Sequence, residues 1–141
     1  MRENIIIAGD EIALFCRLQM NTRKDIPIRS SEMGVLIYIQ KQKEGVTPLM
    51  ISNFFQISKP SVTTMINELI KKNYLVKTSS QTDRRSYIVS ITEKGLDLVL
   101  STQDEYFKLI SILEDKMGEK EFGLFIELIQ KANNILGEER K

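Results

Sequence analysis

Two helix-start signals stand close together in this chain, and they limit how long the element between them can be. Thr47-Pro48 places a capping hydroxyl before a proline at the first helical position. Ser58, with Pro60 in the next turn, repeats the signal. The spacing predicts a short helix from Pro48 to Gln56 carrying Leu49, Ile51, Phe54 and Phe55, a turn at Gln56-Ile57, and a second helix to about Lys72. Val62, Met65, Ile66, Leu69 and Ile70 form the apolar stripe of that second helix. Asn73 ends it, because asparagine is the usual second choice after glycine for a left-handed cap. Two helices joined by a turn of a few residues, the second opening on small hydroxyl side chains, make a helix-turn-helix pattern.

The segment after Asn73 narrows the pattern. Leu75–Thr78 and Ser86–Ile91 read as strands, with Tyr87, Val89 and Ile91 alternating against Ile88 and Ser90. The loop between them, Ser79–Arg85, is polar and basic. A β-hairpin directly after the second helix is a wing.

The flanks are helical. Ile5 to Gln19 carries Ile5, Ile12, Phe15, Cys16 and Gln19 at roughly helical spacing, and such an apolar segment has to bury against its own core or a second chain. Ser30 is expected to cap a helix running through Met33, Leu36 and Ile37, with Glu32 at the positive end of its dipole. Gly45 is expected to end that helix region by adopting a positive φ. Thr92 caps a long helical region with Leu96, Val99, Leu100, Tyr106, Phe107, Ile110 and Leu113; Gly118 breaks it before a last helix striped by Phe122, Phe125, Ile126, Ile129 and Leu136.

Composition removes whole classes of function. The chain has 141 residues, one cysteine and no histidine. An intrachain disulfide, a Cys/His zinc site and histidine-based catalysis are thereby excluded. No nucleophile–base pair or glycine-rich phosphate loop is visible, so an enzyme is the weakest reading and no cofactor or metal is expected. No run approaches a membrane span, and the N-terminus lacks a signal-peptide pattern, so a cytoplasmic location is expected. The net charge of +1 is uninformative, but its distribution is not. Residues 57–94 hold seven Lys/Arg and three Asp/Glu, whereas residues 95–141 hold six and ten. The basic excess lies on the helix-and-hairpin stretch, where phosphate binding needs it.

These motifs together resemble the MarR family of bacterial winged-helix transcriptional regulators. VTPLMISNFFQISKPSVTTMINELIKKNYLV is similar to the family's paired helices, and TDRRSYIVSITEKG to its wing and the start of the next helix. The family's Asp-x-Arg falls on Asp83 and Arg85, and its Leu-Thr-x-x-Gly is represented by Ile91, Thr92 and Gly95. Asn73 stands where the family usually has glycine. The resemblance implies a mainly α (α+β) winged helix-turn-helix over residues 30–95, with residues 1–25 and 96–141 forming a helical dimerisation region. It also implies a homodimer on a pseudo-palindromic double-stranded operator, acting as a repressor. A small anionic or aromatic effector, bound between the dimer helices and the winged region, releases many relatives from DNA.

The candidate DNA contacts are set by residue chemistry. Ser61, Thr63 and Thr64 lie near the start of the recognition helix, where hydroxyls can meet base edges or phosphates and threonine methyls can meet thymine. Val62 belongs to the apolar stripe and, lying between them, is also counted in the contact set. Lys59 suits a phosphate, as do the helix starts at Ser30 and Thr47. Arg84 and Arg85 at the hairpin tip can enter a narrow minor groove, with Asp83 orienting one of them. Lys71 and Lys72 suit the negative end of the helix dipole. Cys16, among Leu14, Phe15 and Leu18, reads as a small buried hydrophobe rather than a redox sensor. A winged-helix protein–protein interaction module with an acidic partner is the alternative; the wing arginines and hydroxyl-rich helix start favour DNA.

Overall fold

Both start signals form local caps. In a computed structural model, which describes residues 2–20, 26–79 and 86–140, Thr47 Oγ1 accepts the Met50 N–H at 3.2 Å. Ser58 Oγ accepts the Ser61 N–H at 3.3 Å. They open helices α3 (Pro48–Phe55) and α4 (Lys59–Lys71). Between them Gln56 takes a left-handed conformation at φ 55°. Its turn is closed by the Ile57 N–H donating to Ser52 O at 3.2 Å and by Ser52 Oγ donating to Ile57 O at 2.7 Å. Asn73 ends α4 at φ 67°, and the Tyr74 N–H reaches back to Leu69 O at 2.9 Å.

The remaining elements are α1 (Glu3–Met20), α2 (Ser30–Lys41), β1 (Leu75–Ser79), β2 (Tyr87–Ile91), α5 (Glu93–Tyr106), α6 (Lys108–Met117) and α7 (Glu119–Glu139). β1 and β2 pair antiparallel, from Leu75 opposite Ile91 to Ser79 opposite Tyr87. Val46 adds a bridge on the other edge of β2, exchanging hydrogen bonds with Val89 at 3.1 and 2.8 Å. The core is drawn almost entirely from residues 28–99: Met33, Leu36, Val46, Ile51, Val62, Ile66, Leu69, Val89 and Val99 are fully buried. This is a mainly helical winged helix-turn-helix with a two-stranded wing.

The end of α4 is clasped to the start of α5. Thr92 Oγ1 donates to Asn73 O at 2.7 Å and accepts the Gly95 N–H at 3.0 Å. The Thr92 N–H donates to Tyr74 O at 3.1 Å, and Lys94 Nζ to Lys72 O at 2.9 Å. Gly95 lies against the Tyr74 carbonyl so closely that a Cβ there would overlap its oxygen.

Outside this unit the chain keeps apolar surface in the open. Ile12 of α1 is 62% exposed and Leu128 of α7 is 56% exposed. Ile5, Leu18, Leu124 and Leu136 are exposed as well. Phe15 of α1 meets Phe125 of α7 edge to face, with ring centroids 5.8 Å apart. No helix among the described residues is long and apolar enough to cross a membrane.

Four expectations are corrected. Ser30 is the first residue of α2 and not its cap; Glu32, 3% exposed, reaches back to accept the Arg29 N–H at 2.9 Å. Gly45 has no positive φ, and its reason is space: a Cβ there would come within 2.5 Å of Ile88 Cδ1. The helical region after Thr92 is interrupted at Phe107, without glycine or proline. Hydrogen bonds still run from the Phe107 N–H to Gln103 O and from the Ser111 N–H to Phe107 O, both 2.9 Å, so the interruption is confined to the Phe107 backbone, at φ −97° and ψ 6°. Cys16 is exposed, because neighbouring Leu14 and Leu18 face outward with it instead of enclosing it.

Candidate nucleic-acid interface

The first two turns of α4 divide cleanly between core and surface. Val62, Ile66 and Leu69 point into the core, while Lys59, Ser61, Thr63 and Thr64 are exposed. Val62 is therefore removed from the contact set: at 0% exposure its side chain holds α4 onto the core and has no face to offer DNA.

The three hydroxyls differ in what they have left to give. Ser58 Oγ donates to Ser61 Oγ at 2.9 Å, which leaves the Ser61 proton available to an outside acceptor. Thr63 Oγ1 donates to Lys59 O at 3.1 Å and Thr64 Oγ1 to Pro60 O at 3.0 Å. Their donors are used within the helix, so they present lone pairs and methyl groups. Thr47 is half-buried at the cap of α3, and Ser30 is exposed at the start of α2. Lys71 is exposed in the last turn of α4, and the Lys72 carbonyl is occupied by Lys94. Asp83, Arg84 and Arg85 lie outside the described residues.

Beside this surface opens a cleft of about 730 Å³, bounded by α2, the α3–α4 turn, α4 and the end of α5. Val35, Phe55, Ile57, Met65 and Tyr106 make its apolar base. Arg29, Ser30, Ser31, Ser61 and Thr64 make a polar rim that, among the described residues, carries one cation and no carboxylate. Gly34 lets the base close up: a Cβ there would stand 3.2 Å from Tyr106 Oη and 3.7 Å from a Phe55 ring carbon. No sequence pattern singles out Arg29, Ser31 or Tyr106 as cleft residues. The one available signal is Gly34, a glycine in a helix interior, which costs helix stability and marks close approach by another element.

Comparison with known proteins bears on the same stretch. Residues 25–86 match the sequence model of the MarR family. The HTH-type transcriptional regulator MhqR of Bacillus subtilis (strain 168) is 27% identical over 90 residues, which is 63% of this chain. That match spans 62% of the length of MhqR. A MarR protein from Peptoclostridium difficile superposes with a TM-score of 0.81 at 21% identity, over 99% of this chain and 91% of that one. Residues 25–86 carry the likeness to the MarR family, and the chain shares the fold of a solved MarR protein. A cysteine-to-serine mutant MarR of E. coli, solved in complex with operator DNA, shares the fold with a TM-score of 0.78 at 19% identity, over 92% of this chain and 95% of that one. In this fold α4 is the second helix of the helix-turn-helix and the β1–β2 hairpin is the wing.

Proposed function

We propose that this chain is a cytoplasmic, non-enzymatic transcriptional regulator of the MarR family that represses by binding a pseudo-palindromic operator as a homodimer. The observation that carries the proposal is the division of α4, with Val62, Ile66 and Leu69 buried and Lys59, Ser61, Thr63 and Thr64 exposed on a winged scaffold. One α4 from each copy enters a major groove, with the two half-sites about 34 Å apart along the duplex. Ser61 donates to a base acceptor or phosphate, while Thr63 and Thr64 accept from base amines or lay their methyls on thymine. Lys59 and the starts of α2 and α3, at Ser30 and Thr47, meet phosphates. Arg84 and Arg85 carry the wing into the flanking minor groove, with Asp83 orienting one guanidinium. Residues 30–95 form the DNA-binding region, and residues 1–25 with 96–141 hold the two copies together. The exposed apolar faces of α1 and α7 support that pairing.

The cleft beside α4 is where an effector binds. A ring fits against Phe55 and Tyr106, and an anionic group fits the rim of Arg29 and hydroxyls. The ligand class that satisfies both is a small aromatic anion.

The test is fluorescence anisotropy on the tightest-binding duplex recovered from a random-sequence library, across a salt series. Arg84→Ala and Arg85→Ala are expected to weaken binding while leaving the oligomeric state alone. Each phosphate contact removed lowers the slope of log affinity against log salt by about 1. Unchanged affinity and slope in both variants would remove the wing from the interface.

A further inference from the structure

We infer that Ser58 is a positioning residue for sequence specificity: without touching DNA it turns the Ser61 proton outward, and so selects the base edge that α4 accepts. The inference rests on the proposed reading of DNA by α4 and names the base chemistry at one position of the half-site. Ser58 Oγ is engaged twice, accepting the Ser61 N–H at 3.3 Å and donating to Ser61 Oγ at 2.9 Å. A hydroxyl carries one proton, so that of Ser58 is spent and Ser61 has to place its own elsewhere. The neighbouring hydroxyls donate to the carbonyl four residues back, Thr63 to Lys59 O at 3.1 Å and Thr64 to Pro60 O at 3.0 Å. The corresponding carbonyl for Ser61 is Ile57 O, which already accepts Ser52 Oγ at 2.7 Å. Ser61 is exposed, and its proton faces outward.

This polarity decides between bases. In the major groove guanine presents two acceptors, N7 and O6, whereas cytosine presents only its N4 amine, a donor. Against guanine the Ser61 proton finds a partner. Against cytosine it is left unpaired in a contact that has expelled water, and an unpaired donor carries its full desolvation cost. Ser61 therefore favours guanine over cytosine at the base it meets. In Ser58→Asn the side-chain carbonyl oxygen caps α4 as well as the hydroxyl does, but it accepts from Ser61 Oγ instead of donating to it. Ser61 then meets the base with lone pairs alone, which suit the cytosine amine and not the guanine acceptors. Ser58→Thr keeps a hydroxyl that both accepts and donates.

Selection from a random-sequence duplex library, run with full-length wild type and Ser61→Ala, locates the base position that depends on Ser61. Anisotropy then gives the ratio of affinities for duplexes carrying guanine or cytosine there. The wild type is expected to prefer guanine. Ser58→Asn is expected to shift the ratio toward cytosine by about 2–10-fold, the worth of one hydrogen bond, and Ser58→Thr to retain the wild-type ratio. The ratio is internal to each variant, so a change in stability cancels from it; a residue that served only as a cap would alter both affinities alike. An unchanged ratio in Ser58→Asn overturns the inference, as does an equal shift in Ser58→Thr. A wild-type preference for cytosine, or a Ser61→Ala selection identical to that of the wild type, overturns it too. Each of these outcomes leaves DNA binding by α4 standing. A wild type that selects no sequence removes that reading and this inference together.

Discussion

A methyl group at position 95 would enter space held by the Tyr74 carbonyl oxygen. Two effects compete at that position. Alanine in a helix gains about 1 kcal/mol over glycine from backbone entropy. Overlap with a main-chain oxygen cannot be relieved by rotating a side chain, and overpacking of this kind costs about 1–3 kcal/mol. The overlap wins, so Gly95→Ala is expected to lower the urea midpoint without changing the slope of the transition. A midpoint at or above that of the wild type would show that the α4–α5 junction yields more easily than its geometry implies. Val62 illustrates the opposite limit of local reading. Its place between two exposed hydroxyl residues suggests a surface role, but the helical angle turns it into the core. The apolar stripe through Val62, Ile66 and Leu69 already contains that answer, and position in the chain is the weaker guide.

At the scale of elements, the junction between α4 and α5 sets how the helix-turn-helix is held against the helices beyond it. Thr92 does most of this, capping α5 at Gly95 and bonding the Asn73 carbonyl beyond the end of α4. Thr92→Val keeps the shape and removes both bonds. The expected loss is about 1–2 kcal/mol, since a lost cap costs about 1 and the Asn73 carbonyl is exposed enough to find water. Amide exchange checks it: protection is expected to fall first at Gly95 and Tyr74, and uniform loss across all helices would argue against a local joint. Element boundaries are legible in the sequence wherever a cap is local. Thr47, Ser58, Asn73 and Thr92 all act through residues within a few positions of themselves or at the next element's start. The break at Phe107 is not legible, because no glycine or proline marks it.

For the whole molecule, the governing fact is apolar surface that one copy leaves uncovered on α1 and α7. A homodimer that buries these faces also fixes the distance between two recognition helices, which one copy cannot do. Leu128→Asp places a charge in that proposed interface. The variant is expected to sediment as a monomer and to lose DNA affinity by about 10²–10⁴-fold, the usual gain from linking two sites. A Leu128→Asp protein that remains dimeric would move the interface off this face of α7.

Spacing along the chain is enough to read the helix-turn-helix, both of its caps, the asparagine that ends α4 and the two strands after it. Each depends on side chains and backbone a few residues apart, so one-dimensional spacing is enough to specify it. The residue types that the proposed interface would use, the hydroxyls of α4 and the arginines at 84 and 85, are read from the sequence as well. Which neighbours in space those groups acquire depends on how the elements pack. Gly95 is needed because the Tyr74 backbone passes over it and Gly45 because Ile88 does, while at Gly34 Tyr106 and Phe55 only come close. The cleft shared by Ser30, Ser61, Thr64 and Tyr106 gathers residues from three helices that no local pattern relates. Close packing between segments distant in the chain is set by how the whole core closes, and that information is carried by many residues jointly and by no single motif.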